Sequence, residues 1–268
     1  HAWITLAGLA RETSKIRLGT LVSPVTFREP VNVGRMAQQL DALSGGRFVM
    51  GLGVGWYPAE HEVYGIDFPK PSERYDRLEE AIALMKQLWY SESGTFEGQH
   101  YRISGTNSKP HPPAGRPNIL IGGSGPKRTL KIVAEHAHEW NTTPTDLAGY
   151  AAANEALERH CETFDRDPSE IRRSMLLFAA IGPDKRNQDL ALERFLNMMA
   201  PEGRRLTLAA AAAAGRAPWQ GSVEKLVDHV GQFKELGLDE IVFEHFCHEE
   251  DTIAEWLAAE IKPKLEAL

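Results

Sequence analysis

The sequence predicts an α/β fold made of βα units on a parallel sheet, and three observations predict it. Apolar runs without polar alternation, such as Phe48-Val49-Met50-Gly51-Leu52-Gly53 and Asn118-Ile119-Leu120-Ile121, suit strands buried on both faces. Segments with apolar residues at three- and four-residue spacing separate those runs. No stretch in the 268 residues resembles a domain linker, so the chain reads as a single domain, 1–268.

The elements follow in order. Residues 3–13 read as a helix with Leu6, Leu9 and Ala10 on one face, and 15–22 as a strand. Pro30 stands at a first helical position, where its missing N–H is no loss, and Val33, Met36, Leu40 and Leu43 continue the stripe. Ser44-Gly45-Gly46 stops that helix, because glycine supplies a left-handed residue. After the strand at 47–53, Ser72 precedes a long helix carrying Tyr75, Leu78, Ile82, Met85 and Trp89 on one stripe. Residues 95–103 read as a hairpin with Glu97-Gly98 near its turn. The strand at 118–121 runs into Gly122-Gly123-Ser124-Gly125 and a helix to about residue 135. A short strand at 139–142, a helix over 147–164, a turn at 165–168 and a strand at 173–181 come next. Residues 183–221 break the rhythm with two helical pieces and an alanine run, Ala209 to Ala214, which reads as a mobile helix or lid segment. Ser222 opens a helix with Val223, Leu226, Val230 and Phe233 aligned, 240–244 forms a strand, and a terminal helix starts near Thr252. Some six strands result. A doubly wound sheet can stop there, whereas closure of the common barrel needs eight.

Composition narrows the function classes. Thirty basic against thirty-seven acidic side chains give a net charge of −7, which argues against nucleic acid or an anionic membrane as partner. The longest bland stretch, Leu208 to Ala214, is far below a membrane span. Two cysteines, Cys161 and Cys247, make no disulfide framework, and a cytoplasmic protein is the default expectation.

Ligands of parallel sheets collect beyond the strand carboxyl ends, and three such ends stand out. Gly122-Gly123-Ser124-Gly125 lies between strand and helix, where glycines let the backbone approach an anion and the helix offers unpaired N–H groups. Lys127 and Arg128 would add charge; a tight turn with no ligand is the plain alternative. Gly51-Leu52-Gly53-Val54-Gly55-Trp56-Tyr57 lacks the third glycine of a dinucleotide fingerprint and suggests room for something flat, with Trp56 and Tyr57 as walls or as core aromatics. Leu21 to Pro30 ends a strand in small, hydroxylated and proline residues, a ligand rim or a proline-shaped loop. Glu60-His61-Glu62 offers a proton donor or acceptor, or a solvated helix start. His136-Ala137-His138 and His245-Phe246-Cys247-His248, with Glu249 and Glu250, lack metal-ligand spacing, so no metal site is expected.

Taken together these motifs resemble the luciferase-like monooxygenase superfamily, and within it the coenzyme F420-dependent oxidoreductases. The resemblance runs through Ile16 to Val22, Thr26-Phe27-Arg28-Glu29-Pro30, Leu40 to Arg47, Gly51 to Tyr57, Glu60-His61, Tyr64-Gly65-Ile66, Glu73 to Glu80, Ile121 to Gly125 and Trp140-Asn141. It is dense to about residue 145 and thinner beyond. It implies a bacterial-luciferase-like (β/α)8 TIM barrel, here without the first two βα units that family members begin with. It also implies a deazaflavin, F420, or alternatively FMN, at the strand carboxyl ends. By position, Leu21-Val22, with Ser23 beside it, corresponds to a non-prolyl cis peptide behind the ring. Gly53, Gly55 and Trp56 would lie beside the cofactor, Gly122, Gly123, Ser124 and Gly125 would take its phosphate, and Asn141 and Thr143 would approach the ring. The insertion near 183–221 would lie near the substrate entrance. Some relatives carry an acid where this chain has Trp56, so the catalytic acid or base is left unassigned, with Glu60 and His61 as candidates.

The expected activity is hydride transfer between the deazaflavin and a small organic substrate. The alternatives are an FMN-dependent monooxygenase of the same fold, a non-catalytic flavin-binding barrel, and, more remotely, a metal-dependent barrel hydrolase. A homodimer is common in the family.

Overall fold

A computed structural model describes residues 1–110, 117–143, 146–200, 205–246 and 251–268. Proline and glycine punctuate its helices as their physics requires. Helix α1 is Ala2–Glu12; two short strands, β1 (Leu18–Gly19) and β2 (Ser23–Pro24), follow. Helix α2 (Pro30–Ser44) begins on its proline and ends on Gly45, at φ 69°. There Gly45 N–H donates to Ala42 O and Gly46 N–H to Asp41 O, which satisfies carbonyls the helix leaves open. Strand β3 (Phe48–Gly53) is buried at every position, the outcome its unalternating run predicts. Helices α3 (Pro58–Tyr64) and α4 (Pro71–Tyr90) precede an antiparallel hairpin, β4 (Gly94–Glu97) with β5 (Arg102–Thr106). Then come β6 (Asn118–Gly122), α5 (Thr129–His136), β7 (Glu139–Thr142), α6 (Leu147–Thr163) and β8 (Arg172–Phe178). The remainder is α7 (Lys185–Met199), α8 (Leu208–Ala213), α9 (Val223–Glu235), β9 (Glu240–Glu244), α10 (Asp251–Trp256) and α11 (Lys262–Glu266), the last two joined by a π-helical turn, Leu257–Ile261.

The strand expected over 15–22 is instead two short pieces around the Leu21–Val22 bond, which is cis. Thr20 leaves the ladder because its carbonyl lies against Gly51, where a Cβ would come within 1.7 Å, while its hydroxyl donates to Gly51 O at 2.8 Å.

The chain divides into two compact units, residues 1–140 with 156–171, and residues 141–155 with 172–268. In the first, β1 and β2 both pair with β3 in parallel, and β3 pairs with β6 (Val49 with Asn118 through Leu52 with Ile121). Helices α2 and α4 pack closely beside this sheet. A Cβ on Gly34 would stand 2.9 Å from Met85 Cγ, and the Trp89 indole N–H donates to Gly34 O at 3.0 Å. The hairpin is held to α4 by one carboxylate, Glu80, which accepts from the backbone N–H groups of Gln99, His100 and Tyr101. Arg166 likewise gathers the C-terminal carbonyls of α5, donating to Ala134 O and Ala137 O. In the second unit β8 and β9 are parallel, from Ser174 with Glu240 to Phe178 with Glu244. Their core joins Leu177, Ala179 and Ile181 to Leu226, Val230 and Ile261. Ser222 caps α9, accepting from Lys225 N–H. Among the described residues no helix is long and apolar enough to cross a membrane.

Two outcomes are expected. Glu80→Ala strands three N–H donors at once and should lower unfolding stability by about 1–3 kcal/mol in urea titration. His136 sits on Lys86, whose ammonium donates to Nδ1 at 3.1 Å; burial first, and Lys86 second, hold its pKa below the usual histidine range. The unfolded chain therefore binds that proton at a higher pH than the folded one. Stability present above about pH 6.5 should fall as the pH drops below it, and His136→Asn should flatten the fall measured by urea unfolding.

Candidate functional site at the strand carboxyl ends

In the first unit the carboxyl ends of β2, β3 and β6 meet around one side chain, that of Val22. Cβ atoms added to Gly53 or Gly122 would stand 2.6 and 3.0 Å from the Val22 methyls, and one on Gly51 would also approach Val22 Cγ1, at 3.3 Å. Three glycines on two strands thus leave the space one valine fills. Val25 N–H then donates to Gly53 O at 2.9 Å, continuing the register after Ser23, which is buried. Leu21 is exposed beside it. The structure therefore brings Leu21, Val22, Ser23, Gly53 and Gly122 into one place.

The loop from Val54 to Tyr57 is tied from below. Gly55 adopts φ 77°, a conformation glycine reaches without steric cost. Arg74 donates through Nη1 to Val54 O at 3.2 Å and to Gly55 O, and its guanidinium lies 3.9 Å from the centre of the Phe68 ring. Arg74 is buried, and burial is the leading cause that lowers its pKa. His61 is buried too, against Phe27 (4.7 Å) and Phe68 (4.4 Å). Its Nδ1 lies 3.0 Å from Tyr57 O, and a carbonyl only accepts, so Nδ1 carries the proton; Nε2 then accepts from the Thr26 hydroxyl at 2.7 Å. Both ring nitrogens are engaged with the protein. The expected solvated helix start is wrong for His61, because two aromatic rings enclose it. Of the two acid/base candidates Glu60 alone reaches solvent, with its side chain 35% exposed. Trp56 points out, 67% exposed, and packs on Tyr57 at 5.2 Å.

The turn after β6 is built from Gly122, Gly123, Ser124 and Gly125. Gly123 has φ 115° and its carbonyl accepts from the Trp140 indole at 2.7 Å. A Cβ on Gly125 would crowd the Thr129 hydroxyl at 2.9 Å and that of Tyr75 at 3.1 Å, two groups that hydrogen-bond each other. Arg128 does not serve this turn. It donates to Ser72 O, Asp76 and Glu79 on α4, so its charge is neutralised there; Lys127 is exposed.

Asn141 and Thr143 belong to the second unit, where Asn141 Nδ2 donates to Ser174 Oγ at 2.9 Å and Thr143 is exposed. The His138 Nδ1 accepts from Ile119 N–H at 3.1 Å, a structural bond. Cys247, His248, Glu249 and Glu250 lie outside the described residues. Arg74 lies within the Glu73–Glu80 run but is not marked as a site residue by its sequence neighbours, although it stands four residues before Leu78 on the buried stripe of α4.

A profile of the luciferase-like monooxygenase family matches residues 1–260. The chain belongs to this family. Relatives within it include F420-dependent glucose-6-phosphate dehydrogenase of Mycolicibacterium smegmatis, 26% identical over 100% of this chain and 83% of that one. F420-dependent hydroxymycolic acid dehydrogenase of Mycobacterium tuberculosis is 33% identical over 68% of this chain and 50% of its own length. Pyrimidine monooxygenase RutA of Acinetobacter baylyi is 32% identical over 60% and 44%. The chain spans about half the length of several curated relatives it matches. Solved structures of the same luciferase-like barrel fold include F420-dependent tetrahydromethanopterin reductase from Methanopyrus kandleri (TM-score 0.81, 19% identity, 98% of this chain and 87% of that one). An F420-dependent secondary alcohol dehydrogenase with an F420–acetone adduct is similar as well (TM-score 0.79, 19% identity, 99% and 84%).

The nesting of Val22 gives a double-mutant test. Gly53→Ala should cost about 1–3 kcal/mol by overpacking, and Val22→Ala should recover most of it in the double variant, read as a coupling energy from urea unfolding.

Proposed function

We propose that this luciferase-like protein is an oxidoreductase that binds F420 at the strand carboxyl ends and transfers a hydride between it and a small organic substrate. The observation that carries this reading is the alignment of the whole chain with an F420-dependent dehydrogenase, in a chain whose strand ends keep glycine where a flat ring needs bare backbone. The residues fit such a group. Gly53, Gly55, Gly122 and Gly123 put no side chain at the ends of β3 and β6, and the Leu21–Val22 segment fills the space behind them. Backbone N–H groups of the Gly123–Gly125 turn, with Ser124, would hold the phosphate.

The deazaflavin supplies the hydride chemistry. The chain's own residues bind, orient and exclude water. Val22 supports one side, Trp56 walls the mouth, and Glu60 is the accessible carboxylate for holding or moving a proton. An FMN-dependent monooxygenase is the second reading, favoured by the likeness to pyrimidine monooxygenase RutA.

Fluorescence titration separates them. Oxidised F420 should bind more tightly than FMN, and equal or reversed affinities would sink the F420 preference. Gly123→Val should weaken whichever cofactor binds by about tenfold or more, since the φ of 115° excludes a branched residue.

A further inference from the structure

We infer that Arg74 and His61 are positioning residues that shape the β3–α3 loop into a two-donor cradle, in which the main-chain N–H groups of Gly55 and Trp56 take an anionic oxygen of a bound ligand. The carbonyls of Val54 and Gly55 both accept from Arg74, and that of Tyr57 accepts from His61. The Val54–Gly55 and Gly55–Trp56 peptides are trans, so each N–H points opposite to its own carbonyl. Turning two successive carbonyls toward Arg74 therefore turns the N–H groups of Gly55 and Trp56 away from it, on the side where Trp56 is exposed. Neither N–H has a hydrogen-bond partner among the described residues. Gly55 in the left-handed region supplies the left-handed member that an anion-binding nest of consecutive N–H groups requires.

The charge behind them is unusual. Among the described residues Arg74 makes no ion pair, and its buried Nε has no hydrogen-bond partner. A buried cation without a carboxylate is costly to keep. Here its field is compensated by the two carbonyl dipoles and the Phe68 face, which polarises both peptides and strengthens their N–H groups as donors. His61, wedged between Phe27 and Phe68 and tied to Thr26, fixes the far end of the same loop. The oxygen comes from substrate or from cofactor, and only that assignment rests on the function proposed above.

The test uses protein labelled with 15N-tryptophan, with the Trp56 amide assigned by its loss in Trp56→Phe. Acetate, titrated against chloride at constant ionic strength, should move the Trp56 backbone amide saturably and leave those of Trp89 and Trp140 in place. Arg74→Met should weaken that response about tenfold, and Arg74→Lys, which keeps the charge without the fork, should weaken it less. Unchanged Trp89 and Trp140 amides report that each variant is folded. Should Arg74→Met not fold, His61→Gln, which releases Tyr57 O alone, is expected to weaken acetate binding several-fold. A Trp56 amide indifferent to acetate, or one that responds alike in wild type and variants, overturns the cradle. Oxidised F420 competing with acetate assigns the oxygen to the cofactor, and F420 binding without competition assigns it to the substrate. Acetate binding by a protein that ignores F420 leaves the cradle standing and removes the F420 reading.

Discussion

Close approach of backbone around Val22 is the constraint on which the candidate site depends. Gly51, Gly53 and Gly122 each leave space that the valine or the preceding Thr20 carbonyl fills. A side chain at any of them would push the segment from Thr20 to Ser23 away from β3, and with it the register that continues through Val25. Glycine is conformationally expensive in a strand, so its use here is a packing requirement. The same packing accounts for glycine at all three positions on β3 and β6.

The arginine and histidine side chains near the strand ends are engaged by the protein itself. Arg74, His61 and Arg128 are each spent on carbonyls or on α4 carboxylates. What faces outward is main chain, the aromatic pair Trp56 and Tyr57, Glu60 and Lys127. Glu80 and Arg166 do similar work farther away, gathering the N–H groups of the hairpin turn and the carbonyls ending α5. In the first unit, long charged side chains serve as braces.

Much of the fold is legible in the sequence because its signals are local. Pro30 and Gly45 bound α2, the unbroken run at Phe48–Gly53 marks a strand buried on both faces, and Ser222 caps α9. What is not legible depends on tertiary neighbours. The segment 15–22 has strand composition, yet the close passage of Thr20 over Gly51 divides it. His61 reads as solvated from its acidic neighbours Glu60 and Glu62, and its burial depends on Phe27 and Phe68 closing from either side. Arg128 beside the glycine turn reads as an anion ligand until α4 presents Asp76 and Glu79 to it. Glycine and proline announce themselves; the partner of a long cationic side chain does not.

The neutralisation of Arg128 has a kinetic consequence. With that charge paired, the β6–α5 turn offers peptide dipoles and hydroxyls, apart from the solvated Lys127. Dipole fields fade over a few ångströms and draw little counter-ion atmosphere, whereas a free guanidinium would attract anions across a Debye length of about 8–10 Å. An anion reaching this turn would be retained by short-range geometry, and Arg128, shared between two carboxylates on a chain of net charge −7, would not steer it there.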